Sequence, residues 1–336
     1  MNFFIKLQDK ISEFKLQINY MKKFPRIVFI GSTYFSLHSL KELYMKQYNI
    51  VGIITSPDNI KKNFFSPIKI YALENNIPFL QPKNLLEDSF LRNLKRWNAD
   101  IQIVVSFRIL PKKVWNLPKM GSFNLHASIL PQYRGAAPIN WAIINGENKT
   151  GLTTFFIEKK IDSGKIILQK EIKIGKEETA GELESKLKNI SGFMVIKTLE
   201  NIINNKIKPI NKKNIHSSLL KYAPKIYTKD CRIQWVNTSI ESIYNKIRGL
   251  SPNPTAWTLL FFNKKKFVRF KIFFVKKIQK IHNFPVGSIL TSSHDMKIYV
   301  NGGLISIIEG QIEGKKRMNI KNLIHGIQIR KNLFVR

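Results

Sequence analysis

The sequence predicts an α/β protein with a mostly parallel sheet, followed by a smaller strand-rich region. Apolar runs of strand length alternate with helical stretches over the first two hundred residues, which is typical of parallel sheets. After about residue 225 the apolar residues instead alternate with polar ones, as in half-buried strands. A length of 336 residues favours two domains over one.

The first predicted strand, Arg26–Gly31, is apolar and ends in glycine, and Ser32 or Thr33 can cap the helix that follows. This strand, turn and helix resemble the opening of a Rossmann fold, so we expect a Rossmann-like sheet. A single glycine in the turn lacks the Gly-x-Gly-x-x-Gly pattern that brings the backbone against a pyrophosphate. Nicotinamide binding is therefore disfavoured.

The remaining elements of the first region are predicted from apolar runs and from the capping and turn residues that bound them. A capping box, Thr179 to Glu182, opens a long helix with a buried stripe of Leu183, Leu187, Ile190 and Met194. Further strands are predicted at 50–55, 77–82, 100–105, 122–125, 151–157 and 165–174, and helices from about 66, at 85–97 and at 136–145.

Two polar residues lie within or directly after the predicted strand at 122–125. Because side chains alternate along a strand, Asn124 and His126 point the same way and can meet one carbonyl oxygen. A third candidate, Asp162, lies in a Ser-Gly turn between two later strands. Each residue taken singly is a common turn residue, and a structural role is the simpler interpretation of any one of them.

The composition limits the class of protein. The 56 basic and 22 acidic residues give a net charge of +34, and the last 106 residues hold 19 basic and 4 acidic residues. Such an excess indicates a polyanionic partner, nucleic acid more than a membrane surface, although lysine enrichment from a biased genome explains part of the charge.

The single cysteine, Cys231, excludes an internal disulfide and a cysteine-cluster metal site. No apolar run reaches the ~20 residues that span a bilayer.

The segment Ser128–Ile139 reads Ser-Ile-Leu-Pro-Gln-Tyr-Arg-Gly-Ala-Ala-Pro-Ile. It closely resembles the signature of the folate-dependent formyltransferases, and the order Asn124, His126, Asp162 matches their catalytic set. The resemblance implies transfer of a formyl group from 10-formyltetrahydrofolate to the amino group of methionyl-initiator tRNA, with no metal ion. Asn124 and His126 would stabilise the oxyanion, and Asp162 would orient His126 and relay a proton.

The resemblance also implies the binding residues. The expected folate pocket contains residues of a strand exit and of the signature loop: Phe107, Ile109, Ser128, Ile129, Leu130 and Pro131. The expected tRNA contacts are basic residues of a loop, the signature and the second region: Lys61, Lys62, Arg134, Lys264, Lys265, Lys266, Arg269 and Lys271. The loop 58–65 is shorter than in relatives and lacks arginine and glycine, and Arg108 is unusual in a pocket wall.

Four parts of the chain are expected: an extension at 1–20 outside the resemblance, with Met21 a plausible initiator; a catalytic domain at 21–205; a polar linker at 206–225; and a tRNA-binding domain at 226–336. The resemblance implies that this last domain is a small OB-like barrel. The alternation of Val268, Phe270, Ile272 and Phe274 predicts one of its strands, with Arg269 and Lys271 on the other face.

Other functions stay open from the sequence. Formyltransferases acting on glycinamide ribonucleotide or an amino-sugar nucleotide, and related hydrolases, share the same three residue types. An RNA-binding protein with an inactive site is the non-enzymatic alternative. For the tRNA-directed enzyme we expect a cytoplasmic monomer with no membrane association and no obligate protein partner.

Overall fold

The computed structural model describes residues 25–59, 65–207, 217–263, 265–326 and 333–336. The chain divides into two compact units. The first comprises Met1–Pro131, Leu152–Lys170 and Lys186–Ile215, and the second comprises Gln132–Gly151, Glu171–Ser185 and His216–Arg336. The expected extension, together with Lys61, Lys62 and Lys264, lies outside the described residues.

A seven-stranded sheet has the order β3-β2-β1-β4-β5-β7-β8. Strands β1 to β5 pair in parallel, and β7 is antiparallel to β5. The Rossmann-like, mostly parallel sheet is thus confirmed. Its strands are β1 Ile27–Gly31, β2 Ile50–Ile54, β3 Phe79–Leu80, β4 Ile101–Val105, β5 Ser122–His126, β7 Lys149–Phe156 and β8 Ile166–Lys173, while β6 Arg134–Gly135 lies in a separate pair.

Eight α-helices are described. The first begins where predicted, because the side chain of Thr33 accepts from the backbone of Ser36. They are α1 Tyr34–Met45, α2 Pro67–Glu74, α3 Asp88–Arg96, α4 Lys112–Trp115, α5 Pro138–Ile144, α6 Ala180–Ile203, α7 Ile240–Leu250 and α8 Ile320–Gly326. The predicted box before α6 also forms, since Glu182 accepts from both the N–H and the hydroxyl of Thr179.

The strand-rich region forms a second sheet of antiparallel strands in the order β12-β13-β14-β11-β10-β16. The sheet nearly closes into a barrel, because the last segment of the chain pairs on both of its sides. Phe334 and Val335 pair with β10, and Phe334 also forms a bridge with Ser288, just before β12. Its strands are β10 Ala256–Phe261, β11 Phe267–Gln279, β12 Ile289–Thr291, β13 Met296–Val300, β14 Gly303–Ile312, β15 Met318–Asn319 and β16 Phe334–Val335.

One predicted pattern in this barrel was wrong. The register between β11 and β14 shifts around Ile272 and Phe274, which marks a β-bulge. Phe270 and Ile272 enter the core as expected, but beyond the bulge Val275 takes the core position and Phe274 is half-buried on the outside. An extra residue in one strand reverses the facing of every residue after it.

Candidate functional site

The centre of the candidate site is β5, which lies between parallel β4 and antiparallel β7. Asn124 is half-buried and stands beside Phe155, while His126 is only 7% exposed and stands beside Thr153. Since the two residues are two apart on a regular strand, their side chains share one face of the sheet. The structure therefore brings Asn124 and His126 together as the spacing predicts.

The start of the signature loop is fixed by two polar side chains that the sequence interpretation missed. The hydroxyl of buried Thr153 donates to the carbonyl of Ser128 at 2.6 Å and accepts from the N–H of Leu130 at 3.1 Å. The amide of Gln169 donates to the carbonyl of Leu130 at 2.8 Å and to Thr153 Oγ1 at 3.0 Å. The loop thus leaves β5 in a defined conformation, with Leu130 packed against Phe155.

Asp162 lies in the connection between β7 and β8, and this connection starts beside β5, because the N–H of Ile157 donates to the carbonyl of Ser122 at 2.8 Å. Asp162 is half-buried and has φ of +48°, a left-handed conformation that Asp and Asn tolerate better than most residues. The hydroxyl of Ser163 closes the turn on the carbonyl of Lys160 at 2.8 Å.

The turn also requires Gly164. A Cβ at this position would lie 1.7 Å from the carbonyl oxygen of Phe156, in the last residue of β7. The N–H of Phe156 in turn donates to the carbonyl of Lys165 at 2.9 Å. Close approach of two backbone segments therefore fixes the turn that carries Asp162, and only glycine permits this approach.

The second half of the signature loop pairs with a distant segment of the chain. Strand β6 pairs in parallel with β9, Tyr222–Ala223, inside the segment interpreted as a linker. Gly135 has φ of +128°, and a Cβ there would lie 2.4 Å from the carbonyl oxygen of Ala223. Glycine at this position therefore leaves room for the backbone of Ala223.

A buried tyrosine reinforces this pairing. The hydroxyl of Tyr133 donates to Glu147 Oε1 at 2.6 Å, and Lys221 Nζ contacts the same oxygen at 2.6 Å. Burial, together with the neighbouring carboxylate, raises the pKa of Tyr133 far above its ordinary value, so the phenol stays protonated. The N–H of Tyr133 also donates to the carbonyl of Lys221 at 2.6 Å.

Arg134 lies within this paired segment. Its side chain is half-buried, and its Nε–H has no hydrogen-bond acceptor among the described residues. A buried unsatisfied donor on a cation is costly, and an anionic ligand would relieve that cost. Arg134 thus has the environment expected of an anion-binding residue.

The exit of β4 carries the other expected folate contacts. Phe107 is half-buried against the core, whereas Ile109 is 70% exposed. Arg108 is explained by its contacts, because its guanidinium donates to the carbonyls of Pro82 and Lys83 after β3. This arginine joins the loop after β4 to the loop after β3, although β2 and β1 lie between these strands in the sheet.

The basic residues of the barrel fall into two environments. Lys265 and Lys266 are exposed, while Arg269 and Lys271 are half-buried on β11. The guanidinium of Arg269 lies over the ring of Trp257 at 4.0 Å, and its Nε–H finds no acceptor in the part of the chain that the structure describes. The barrel therefore presents exposed ammonium groups and a half-buried guanidinium.

No metal site or membrane span emerges in the described parts of the chain. No cluster of three or more His, Cys, Asp and Glu residues there could hold a metal ion. None of the helices described above is long and apolar enough to cross a membrane.

Two family models match the chain: formyl transferase over residues 25–199, and formyl transferase C-terminal domain over residues 225–328. The methionyl-tRNA formyltransferase of Azobacteroides pseudotrichonymphae is 47% identical over 313 residues, covering 90% of this chain and 95% of that protein. The methionyl-tRNA formyltransferase of Bacteroides thetaiotaomicron is 44% identical over 310 residues, covering 90% and 96%.

Solved structures share the fold at lower identity. HypX from Aquifex aeolicus in complex with tetrahydrofolic acid has a TM-score of 0.62 at 15% identity, covering 89% of this chain and 47% of that one. An N-formyltransferase from Helicobacter canadensis has a TM-score of 0.60 at 20% identity, covering 88% and 100%.

Proposed function

The chain belongs to the formyl transferase family, and we propose that it transfers the formyl group of 10-formyltetrahydrofolate to the amino group of methionyl-initiator tRNA. One observation carries this proposal: relatives named methionyl-tRNA formyltransferase are 42–47% identical across 90% of the chain, through both matched regions. The product, formylmethionyl-tRNA, no longer carries a protonatable amine.

In the proposed reaction, Asn124 and His126 act on the formyl oxygen. The attack of the amine converts that oxygen into an oxyanion, and the amide N–H of Asn124 and a ring N–H of His126 donate to it. Their common face on β5 and the low exposure of His126 support this role, because donors in a site shielded from water stabilise charge most strongly. Removal of one such donor typically costs about 10²–10³-fold in turnover.

Asp162 is proposed to orient His126 and to accept the proton that the attacking amine loses, directly or through water. The proton then passes to the folate nitrogen as the bond between that nitrogen and the formyl carbon breaks. Positioned proton transfer of this kind contributes about 10²–10⁴-fold. The left-handed backbone at Asp162, closed by Gly164, supports a role for a fixed carboxylate.

The proposed folate pocket combines the strand exit at Phe107 and Ile109 with the loop from Ser128 to Pro131. Its support is the fixed loop conformation, since Thr153 bonds to Ser128 and Leu130, and Gln169 bonds to Leu130. A preformed pocket loses less entropy when its ligand binds. The exposed apolar side chain of Ile109 offers a surface for the flat pterin ring. The proposed chemistry uses no metal ion.

The tRNA is proposed to contact Arg134 in the signature loop, and Lys265, Lys266, Arg269 and Lys271 on the barrel. The Nε–H groups of Arg134 and Arg269 support this assignment, because each is a charged donor with no acceptor within the described ranges. Lys61, Lys62 and Lys264 stay sequence-based proposals. A monomer is proposed to suffice, since the proposed contacts of both substrates come from one chain, and its proposed location is the cytoplasm, where relatives of this name act in translation.

The test is transfer of labelled formyl from 10-formyltetrahydrofolate to methionyl-tRNA, with initiator and elongator tRNA side by side. We expect the initiator tRNA to be formylated. His126→Ala and Asp162→Asn should each lower turnover at least about 100-fold while changing tRNA affinity little. Absence of product with the wild-type chain would refute the function, and wild-type turnover in either variant would refute that residue's role.

A further inference from the structure

Two aromatic rings stack on the outside of the C-terminal barrel. The rings of Phe284 and Tyr299 have centroids 4.5 Å apart, with planes at 26°. Phe284 nevertheless stays 59% exposed. A large aromatic ring that packs one side on the protein and offers the rest to solvent is a surface on which another flat ring can stack.

The segment carrying Phe284 is held against the barrel. His282 meets the ring of Tyr299 edge-on at 4.8 Å, and its Nε2 lies 2.9 Å from the carbonyl of Val300 and 3.0 Å from that of Gly303. Because both neighbours are acceptors, Nε2 carries the hydrogen and donates to them. The N–H of Gly287 also donates to the carbonyl of Tyr299 at 2.8 Å. The exposed ring is therefore positioned before any ligand arrives.

Positive charge lies beside these rings. The register places Lys276 of β11 and Lys297 of β13 on either side of Ser306 in β14, so the two lysines are about 10 Å apart across the sheet. Tyr299 is two residues beyond Lys297 on β13 and shares its face. Lys276 is exposed, and Lys297 makes an exposed ion pair with Asp295 at 3.1 Å, which a phosphate can replace at small cost.

We propose that this surface binds an unpaired nucleotide of RNA, with its base stacked on Phe284 and neighbouring phosphates on Lys276 and Lys297. A ring face next to cations is the combination that recognises single-stranded nucleic acid, since every base has a π face. In a duplex the base faces are already stacked, so the ring selects unpaired nucleotides. The inference rests on the proposed function, and assigns to this surface an unpaired segment of the tRNA.

The direct test is binding of a fluorescent single-stranded oligouridine, and of an RNA duplex, by fluorescence anisotropy. Phe284→Ala should weaken binding of the single strand about 5- to 100-fold, as loss of one stacked base does. Phe284→Leu should be nearly as weak, because it keeps an apolar side chain without a ring. The matched control is Phe193→Ala on α6, whose ring is 56% exposed with Lys170 Nζ at 5.1 Å but stacks on no described aromatic ring; we expect no change.

Formyl transfer distinguishes this inference from the proposed function. Phe284→Ala should raise the KM for methionyl-tRNA and leave kcat unchanged, while the lost stacking on Tyr299 lowers the thermal midpoint slightly. Equal affinity of wild type and Phe284→Ala for the single strand, or tighter binding of the duplex by the wild type, would overturn the inference while formyl transfer continued. A wild-type chain that transfers no formyl group would instead overturn the proposed function, whatever the oligonucleotide result.

Discussion

Replacement of Gly164 by alanine tests whether backbone geometry positions Asp162. The added Cβ would lie 1.7 Å from the carbonyl oxygen of Phe156, against ordinary contacts of 3.4–4 Å, so the two groups must separate by about 1.7 Å. Phe156 pairs with Phe123 on β5, and the turn is therefore the part that moves. A misplacement of about 1 Å at a catalytic group costs roughly 10²-fold.

We therefore expect Gly164→Ala to lower kcat about 100-fold in the formyl-transfer assay, with a much smaller change in the KM for methionyl-tRNA. Overpacking should also cost about 1–3 kcal/mol of unfolding free energy, visible as a lower thermal midpoint. Gly326→Ala is the control, because a Cβ there meets no atom of the described residues within 4 Å. Wild-type kcat in Gly164→Ala would show that this turn does not position a catalytic carboxylate.

Three further changes have definite expected outcomes. Hydrogen bonding from Lys69 lowers the pKa of Asp58. Asp58→Asn should therefore cost about 1 kcal/mol of unfolding free energy at neutral pH, measured as a lower thermal midpoint. The difference between wild type and variant should shrink as the pH falls below about 4, the pKa of the unfolded carboxyl, and vanish below the folded-state pKa. Arg108→Lys cannot donate in the same fork to two carbonyls, so the KM for 10-formyltetrahydrofolate should rise several-fold with little change in kcat. Replacing Lys265 and Lys266 together by glutamine should reduce the slope of log affinity for tRNA against log salt by about 1 to 2; an unchanged slope would remove them from the interface.

The sheet and the start of the site were predictable because their signals are local. An apolar run, a capping residue and a period of two are contained within ten residues, and they correctly gave β5, the face shared by Asn124 and His126, and the capping box before α6. The resemblance in the signature loop supplied the order of the candidate residues, which spacing by itself left open.

The missed features depend on partners far away in sequence. The bulge near Ile272 is defined by the register with β14, and the side chain of Arg108 acts on carbonyls about 25 positions earlier. Gly135 is required by the close approach of the Ala223 carbonyl, and nothing near it in the sequence shows that partner. Such pairings are invisible to a pattern read along a single segment.

Because β6 pairs with β9, the parts of the signature loop can form their contacts only in a set order as the chain is synthesised. The residues from Ser128 to Leu130 find their partners once Gln169 has left the ribosome, whereas Gly135 acquires its neighbour only when Ala223 emerges. A nascent chain that ends before residue 222 contains all three proposed catalytic residues but lacks the strand that pairs with β6. The last segment of the signature loop is thus set late in translation, by the same stretch of chain that leads into the barrel.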